Sequence, residues 1–122
     1  MISSSGLLSL IEMKQEMHGH QVRGVGVDAE TRCGHYNSDL DIIAIKFKCC
    51  AEWYSCFECH TASADHVAVV WSANERDQQA VLCGGCGNEM TIDEYMASES
   101  RCLQCSRGFN PGCVNHYHLY FA

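Results

Sequence analysis

A chain of 122 residues with a formal net charge of −7 has room for one domain or two very small ones, and with no basic run it is a poor match for a phosphate backbone, so nucleic acid is not the expected partner. The apolar fraction of 47% overstates the core, because ten of those residues are Cys. Leu, Ile, Val and Phe make up only about a fifth of the chain, too little for a fold of this size without staples.

The elements follow in chain order. Residues 1–22 read as a separate N-terminal helical extension. Ser4 or Ser5 can cap a helix over residues 6–18, with Leu7, Leu8, Ile11 and Met17 partly on one face and Gly19 ending it. The apolar run over residues 7–11 is too short for a signal h-region or a membrane span, and the lack of Arg in residues 1–20 argues against a mitochondrial presequence. Residues 23–79 form a first metal module. Residues 41–47 alternate, placing Ile43, Ile45 and Phe47 on one face of a strand that runs into Cys49, and Val67, Val69 and Trp71 suggest a second strand. The polar residues 74–79 connect to a second module, residues 80–122. There Val81-Leu82-Cys83 enters a knuckle whose glycines permit a tight turn. Thr91-x-x-Glu94 is a capping box that opens a short helix through about Met96. Cys102-Leu103-Gln104-Cys105 is a second knuckle, and an aromatic tail over residues 116–121 follows. The expected fold is a small zinc-stabilised α+β domain of short strands and knuckles, with little regular core and three structural zinc sites.

Twelve donors carry that expectation: Cys33, His35, Cys49, Cys50, Cys56, Cys59, His60, His66, Cys83, Cys86, Cys102 and Cys105. Tetrahedral Zn²⁺ takes four Cys or His donors, and Cys-x-x-Cys chelates supply them in pairs. Histidines at ligand spacings have no use in a disulfide framework, so metal is expected, in a reducing compartment with the cytoplasm as default. Cys83-x₂-Cys86-x₁₅-Cys102-x₂-Cys105 has zinc-ribbon spacing, although four thiolates also suit a rubredoxin-like iron. In the N-terminal set Cys56 and Cys59 share an ion, and His60, directly after Cys59, points elsewhere. The simplest division is interleaved, with Cys33, His35, Cys56 and Cys59 on one ion and Cys49, Cys50, His60 and His66 on another. A division that sends Cys49 and Cys50 to different ions remains open. Three Zn²⁺ held by nine thiolates would take the net charge to about −10.

Arg32-Cys33-Gly34-His35-Tyr36, Phe47-Lys48-Cys49-Cys50 and Tyr54-x-Cys56-x₂-Cys59-His60 resemble the CHY-type zinc finger, whose naming element is Cys33-Gly34-His35-Tyr36. From Leu82 through Phe109-Asn110-Pro111-Gly112-Cys113 to the tail, the chain resembles the family's short stand-alone branch. That branch holds small bacterial proteins and a yeast helper of mitochondrial intermembrane-space import. The resemblance spans residues 25–121. It implies three zinc ions on the twelve positions above and a short form without the RING domain that longer members use in ubiquitin transfer. From the yeast helper it implies a part in keeping an oxidoreductase partner free of zinc, and the mitochondrial intermembrane space as the location in a eukaryote.

Cys113, His116 and His118 are left over. They either form a fourth site with an open position or sit in a turn at Pro111-Gly112 with the histidines satisfied by hydrogen bonds. No His-Glu-x-x-His, no deaminase pattern and no glycine-rich phosphate loop is present. A thiol oxidoreductase would need an uncovered Cys-x-x-Cys, which zinc ligation blocks. The expected function is therefore zinc binding in a non-catalytic scaffold that presents its N-terminal helix and an exposed aromatic tail to another protein. The alternative is zinc handling, in which an ion passes to or from a thiol oxidoreductase partner.

Overall fold

The computed structural model describes residues 14–121, without the side chains of residues 113–116. Six short strands form one sheet: β1 (Lys14–Met17), β2 (His20–Arg23), β3 (Ile43–Lys46), β4 (Trp53–Tyr54), β5 (Gln79–Cys83) and β6 (Glu89–Thr91). Their order is β1-β2-β4-β3-β5-β6, with β2 and β4 parallel and the other pairs antiparallel. Two helices, α1 (Phe57–Ser63) and α2 (Ile92–Met96), and the 3₁₀ segments Ala73–Glu75 and Pro111–Leu119 complete the described elements.

The two-residue period of a strand sorts the apolar side chains onto two faces. In the register of β3 on β5, Ile45 lies opposite Val81 and Ala44 opposite Leu82. Ile43, Ile45, Val81, Tyr54 and Phe47 point into the main core with Met90, Ile92, Tyr95 and Phe109. Ala44 and Leu82 point the other way, into a smaller cluster with Met17, Val22, Val27 and Trp53. The alternation over residues 41–47 thus finds its strand, and Ala44 is also buried because the hairpin of β1 and β2 covers the second face. Thr91 caps α2 by accepting the Glu94 amide at 3.0 Å while the Glu94 carboxylate accepts the Thr91 amide at 2.8 Å, the reciprocal box expected there.

Three expectations are corrected. The helix over residues 6–18 is replaced, in its described part, by β1 and a turn. His18 and Gly19 have φ of 48° and 81°, the pair of positive values that a two-residue hairpin loop requires. Gly19 therefore reverses a strand instead of ending a helix, and the rest of the predicted helix lies outside the described residues. Val67, Val69 and Trp71 form no strand: only Trp71 pairs, in a single bridge to Phe121, and Val67 is 85% exposed. The aromatic tail is not an exposed surface. Phe121 is buried, Tyr117 and Tyr120 pack on the main core, and the Tyr120 hydroxyl accepts the Phe57 amide at 2.9 Å. The tail thereby ties the chain's end to the start of α1.

Candidate metal centres

Short-range geometry delivers the donors. Cys33 and His35 lie in the loop after β2, which Asp28 shapes by accepting the amides of Glu30 and Arg32 at 2.8 and 3.0 Å. Cys49 and Cys50 sit in the tight connection from β3 to β4, where Ala51 takes a φ of 56°. Cys56 is the N-cap of α1 and its sulfur accepts the Cys59 amide at 3.3 Å, so Cys56 and Cys59 face one point. His60, one residue on, is turned away and stacks on Phe47 with ring centroids 4.3 Å apart. His66 follows α1. Cys83 ends β5, and Gly87, at φ 83°, lets its amide return to the Cys83 carbonyl at 2.8 Å. The Cys102 knuckle repeats that device with the Ser106 amide on the Cys102 carbonyl at 3.1 Å.

The twelve donors come together in three groups of four: Cys33, His35, Cys56 and Cys59; Cys49, Cys50, His60 and His66; and Cys83, Cys86, Cys102 and Cys105. Within each group the donor atoms all lie within 4.8 Å of one another. This is the interleaved division, with Cys49 and Cys50 in the same group. A tetrahedron with Zn–S bonds of about 2.3 Å has sulfur–sulfur edges of about 3.8 Å. The separations are 3.7 Å for Cys33–Cys56, 3.9 Å for Cys49–Cys50, 3.8 Å for Cys83–Cys105 and 3.7 Å for Cys86–Cys102. They are far from a disulfide's bonded distance of about 2 Å. Nε2 of His60 lies 3.3 Å from the Cys49 sulfur and 3.2 Å from Nε2 of His66, edges that suit two imidazoles and two thiolates on one ion. The residues present fit zinc.

Electrostatics points the same way. Hydrogen bonds from the Cys56 and Cys59 thiols hold the Cys33 thiol down to about 2, while Cys59 is pushed up to about 11 and Cys56 is also raised. In the third group, burial first of all raises Cys83 and Cys86. Burial opposes the ionisation of Cys102 too, but the amides of Cys105 and Gln104 outweigh it and bring the thiol down to about 7. Cys56 and Cys59 in the first group, and Cys83 and Cys86 in the third, thus hold their protons above the ordinary thiol range. A divalent cation replaces those protons, since thiolates without a counterion repel one another at these distances. His60 has its pKa lowered by burial and then by His66, which keeps its imidazole neutral and able to bind metal.

Sequence reasoning missed the residues that hold the donors. The Val25 amide donates to the Cys59 sulfur at 3.3 Å, and Gln104 and Cys105 amides reach the Cys102 sulfur at 3.4 and 3.5 Å. Asp65 accepts from Nδ1 of His66 at 2.9 Å, the carboxylate–histidine pairing that orients metal-binding imidazoles. The adjacency of Asp65 and His66 was a usable signal for that last contact, whereas the amide contacts have none. His118 is exposed and joins no donor group among the described residues, and the side chains of Cys113 and His116 lie outside them.

Comparison with known proteins agrees with this geometry. Residues 33–117 match the CHY zinc finger family. The chain is 42% identical over 105 residues to Helper of Tim protein 13 of Kluyveromyces lactis, covering 86% of this chain and 91% of the relative. It is 42% identical over 103 residues to the protein of the same name in Saccharomyces cerevisiae, covering 82% and 89%. An uncharacterised protein of Schizosaccharomyces pombe is 40% identical over 100 residues, covering 82% and 88%.

Proposed function

Because the chain belongs to the CHY zinc finger family, we propose that it is a non-catalytic, zinc-braced protein that works by engaging another protein. The observation that carries this reading is that each group already offers four Cys or His donors. A catalytic zinc keeps one position for water or substrate, and a four-donor site leaves none. The twelve grouped residues are the proposed ligands. Zinc supplies charge neutralisation and cross-links here, and the residues do the rest: Cys33 and His35 lock the loop after β2 onto α1, Cys49 and Cys50 lock the β3–β4 connection onto His60 and His66, and the two knuckles lock β5 to the loop before the tail.

The relatives named Helper of Tim protein 13 support a protein partner, since the name is that of an assistant to another protein. With Phe121 buried, the proposed contact face is the stretch after His66, where Val67, Val69 and Val70 are exposed. Apolar side chains grouped on a surface favour protein contact. No helix among the described residues is long and apolar enough to cross a membrane. The proposed location is the mitochondrial intermembrane space in a eukaryote and the cytoplasm otherwise.

The test is replacement. In S. cerevisiae lacking its Helper of Tim protein 13, this chain should rescue the defect, and a Val67→Ser, Val69→Ser, Val70→Ser variant should keep its zinc and lose the rescue. Failure of the unaltered, zinc-loaded chain to rescue would contradict the shared partner, and full rescue by the triple variant would contradict the contact face. A second reading, zinc handling, is favoured by one observation: three of the four donor residues in the second group are not buried.

A further inference from the structure

The three groups differ in how their donors are held. In the first, Cys33, Cys56 and Cys59 are at most 3% exposed, and His35 alone faces solvent. In the third, Cys83 and Cys102 are buried. In the second, only His60 is buried, wedged between Phe47 and Tyr54 with ring centroids at 4.3 and 4.8 Å. Its opposite corner is His66, which is exposed and supported by the carboxylate of Asp65, itself fully exposed.

The backbone that carries His66 has few ties, Ala68 alone between His66 and Trp71 packing on the main core. The Ala64 amide closes α1 on the His60 carbonyl, and the next tie is Trp71, whose amide donates to Tyr120 and whose indole donates to the Lys46 carbonyl. Among the described residues no backbone hydrogen bond holds residues 65–70. Segments with few buried contacts and few backbone hydrogen bonds open locally at a small fraction of the cost of unfolding. His66 can swing out while Cys49, Cys50 and His60 stay in place. Neither other group has a donor carried this way: His35 lies in a loop pinned by Asp28 and by the Gly34 amide on the Val25 carbonyl at 2.7 Å.

We propose that the Cys49, Cys50, His60 and His66 site is the one of the three that exchanges zinc, with His66 as the donor that lets go. Its exchange partner would be a thiolate chelate, because the departing imidazole leaves one open position that the first thiolate of a partner's Cys pair can fill, the second entering as a further donor of the site leaves, with no change of oxidation state. His66 leaves neutral and hydrogen-bonded to Asp65. The inference rests on the three-ion reading above and goes beyond it by ranking the ions.

Native mass spectrometry of the zinc-loaded full chain, followed over time with a mild chelator, tests it. One ion should leave at least about tenfold sooner than the other two, and Asp65→Asn, which removes the support of a metal-bound histidine, should hasten that first loss by about tenfold. His66→Cys should slow it. Three ions lost together, or a first loss indifferent to both Asp65→Asn and His66→Cys, would overturn the ranking while leaving the three-ion reading intact. A loaded protein with fewer than three ions would instead defeat the three-ion reading itself.

Discussion

The third and second donor groups are built from the same elements of chemistry and behave as opposites in the structure. Cys83, Cys86, Cys102 and Cys105 come from two knuckles of the same design, anchored on the buried end of β5 and braced by backbone amides. Cys49, Cys50, His60 and His66 come from a tight turn, one turn of a helix and a segment that no backbone hydrogen bond holds among the described residues. The lesson is that ligand identity says what a site binds, whereas the support behind each ligand says how firmly. One group is a staple. The other is a staple with one free leg.

The largest expected effect breaks the staple. Cys102→Ser removes a donor from the third site, and a structural zinc is worth on the order of 10 kcal/mol, comparable to the whole stability of a domain. Loss of dispersed amide proton signals in NMR spectra is expected, and a folded variant would mean that this site is dispensable. Next comes the packing that ties the tail to the sheet: Phe121→Ala should cost about 3 kcal/mol through the cavity it leaves, read from thermal or urea unfolding of the zinc-loaded chain. At the second site, His66→Ala should lower the zinc content by one ion while the amide spectrum of the sheet persists, since Phe47 and Tyr54 still hold His60.

Proton release sharpens the same comparison. In the metal-free fold Cys83 and Cys86 keep their protons above the ordinary range, so zinc must displace protons at neutral pH. Affinity therefore falls as pH falls, and zinc uptake acidifies a weakly buffered solution. His66→Ala, which gives up the ion of the second site and with it the proton that burial keeps on Cys50, should release fewer protons on loading than the unaltered chain, and an equal release would contradict the assignment. The smallest effect concerns the ion pair of Arg107 with Glu30. Arg107 holds the Glu30 carboxyl below its ordinary range, so this stability is present above that range and is lost as pH falls through it. Arg107→Ala at a half-exposed pair should cost about 0.5 kcal/mol.

The donors were legible in the sequence because chelate spacing is a rigid constraint. Two thiols three residues apart can share an ion, and a histidine next to the second thiol cannot join them, which separates His60 from Cys59. β3, β5 and the capped helix α2 were legible because alternation and the Thr91–Glu94 box have one reading each. The hairpin of β1 and β2 was not, because a glycine after a histidine stops a helix as readily as it turns a strand. What decides between the two is distant, the packing of Met17 and Val22 against Trp53 and Leu82. The run after His66 looked like a strand because valines favour strands, yet only Trp71 finds a partner. The burial of Phe121 depends on the return of the tail to α1, which no local pattern announces.

X-ray absorption at the zinc edge of the fully loaded chain tests the central claim most directly. Nine sulfurs and three imidazoles over three ions predict an average shell of three sulfurs and one nitrogen, with Zn–S near 2.3 Å and Zn–N near 2.0 Å. An average with fewer sulfurs, or with a light oxygen shell in place of the imidazole, would contradict the three closed sites.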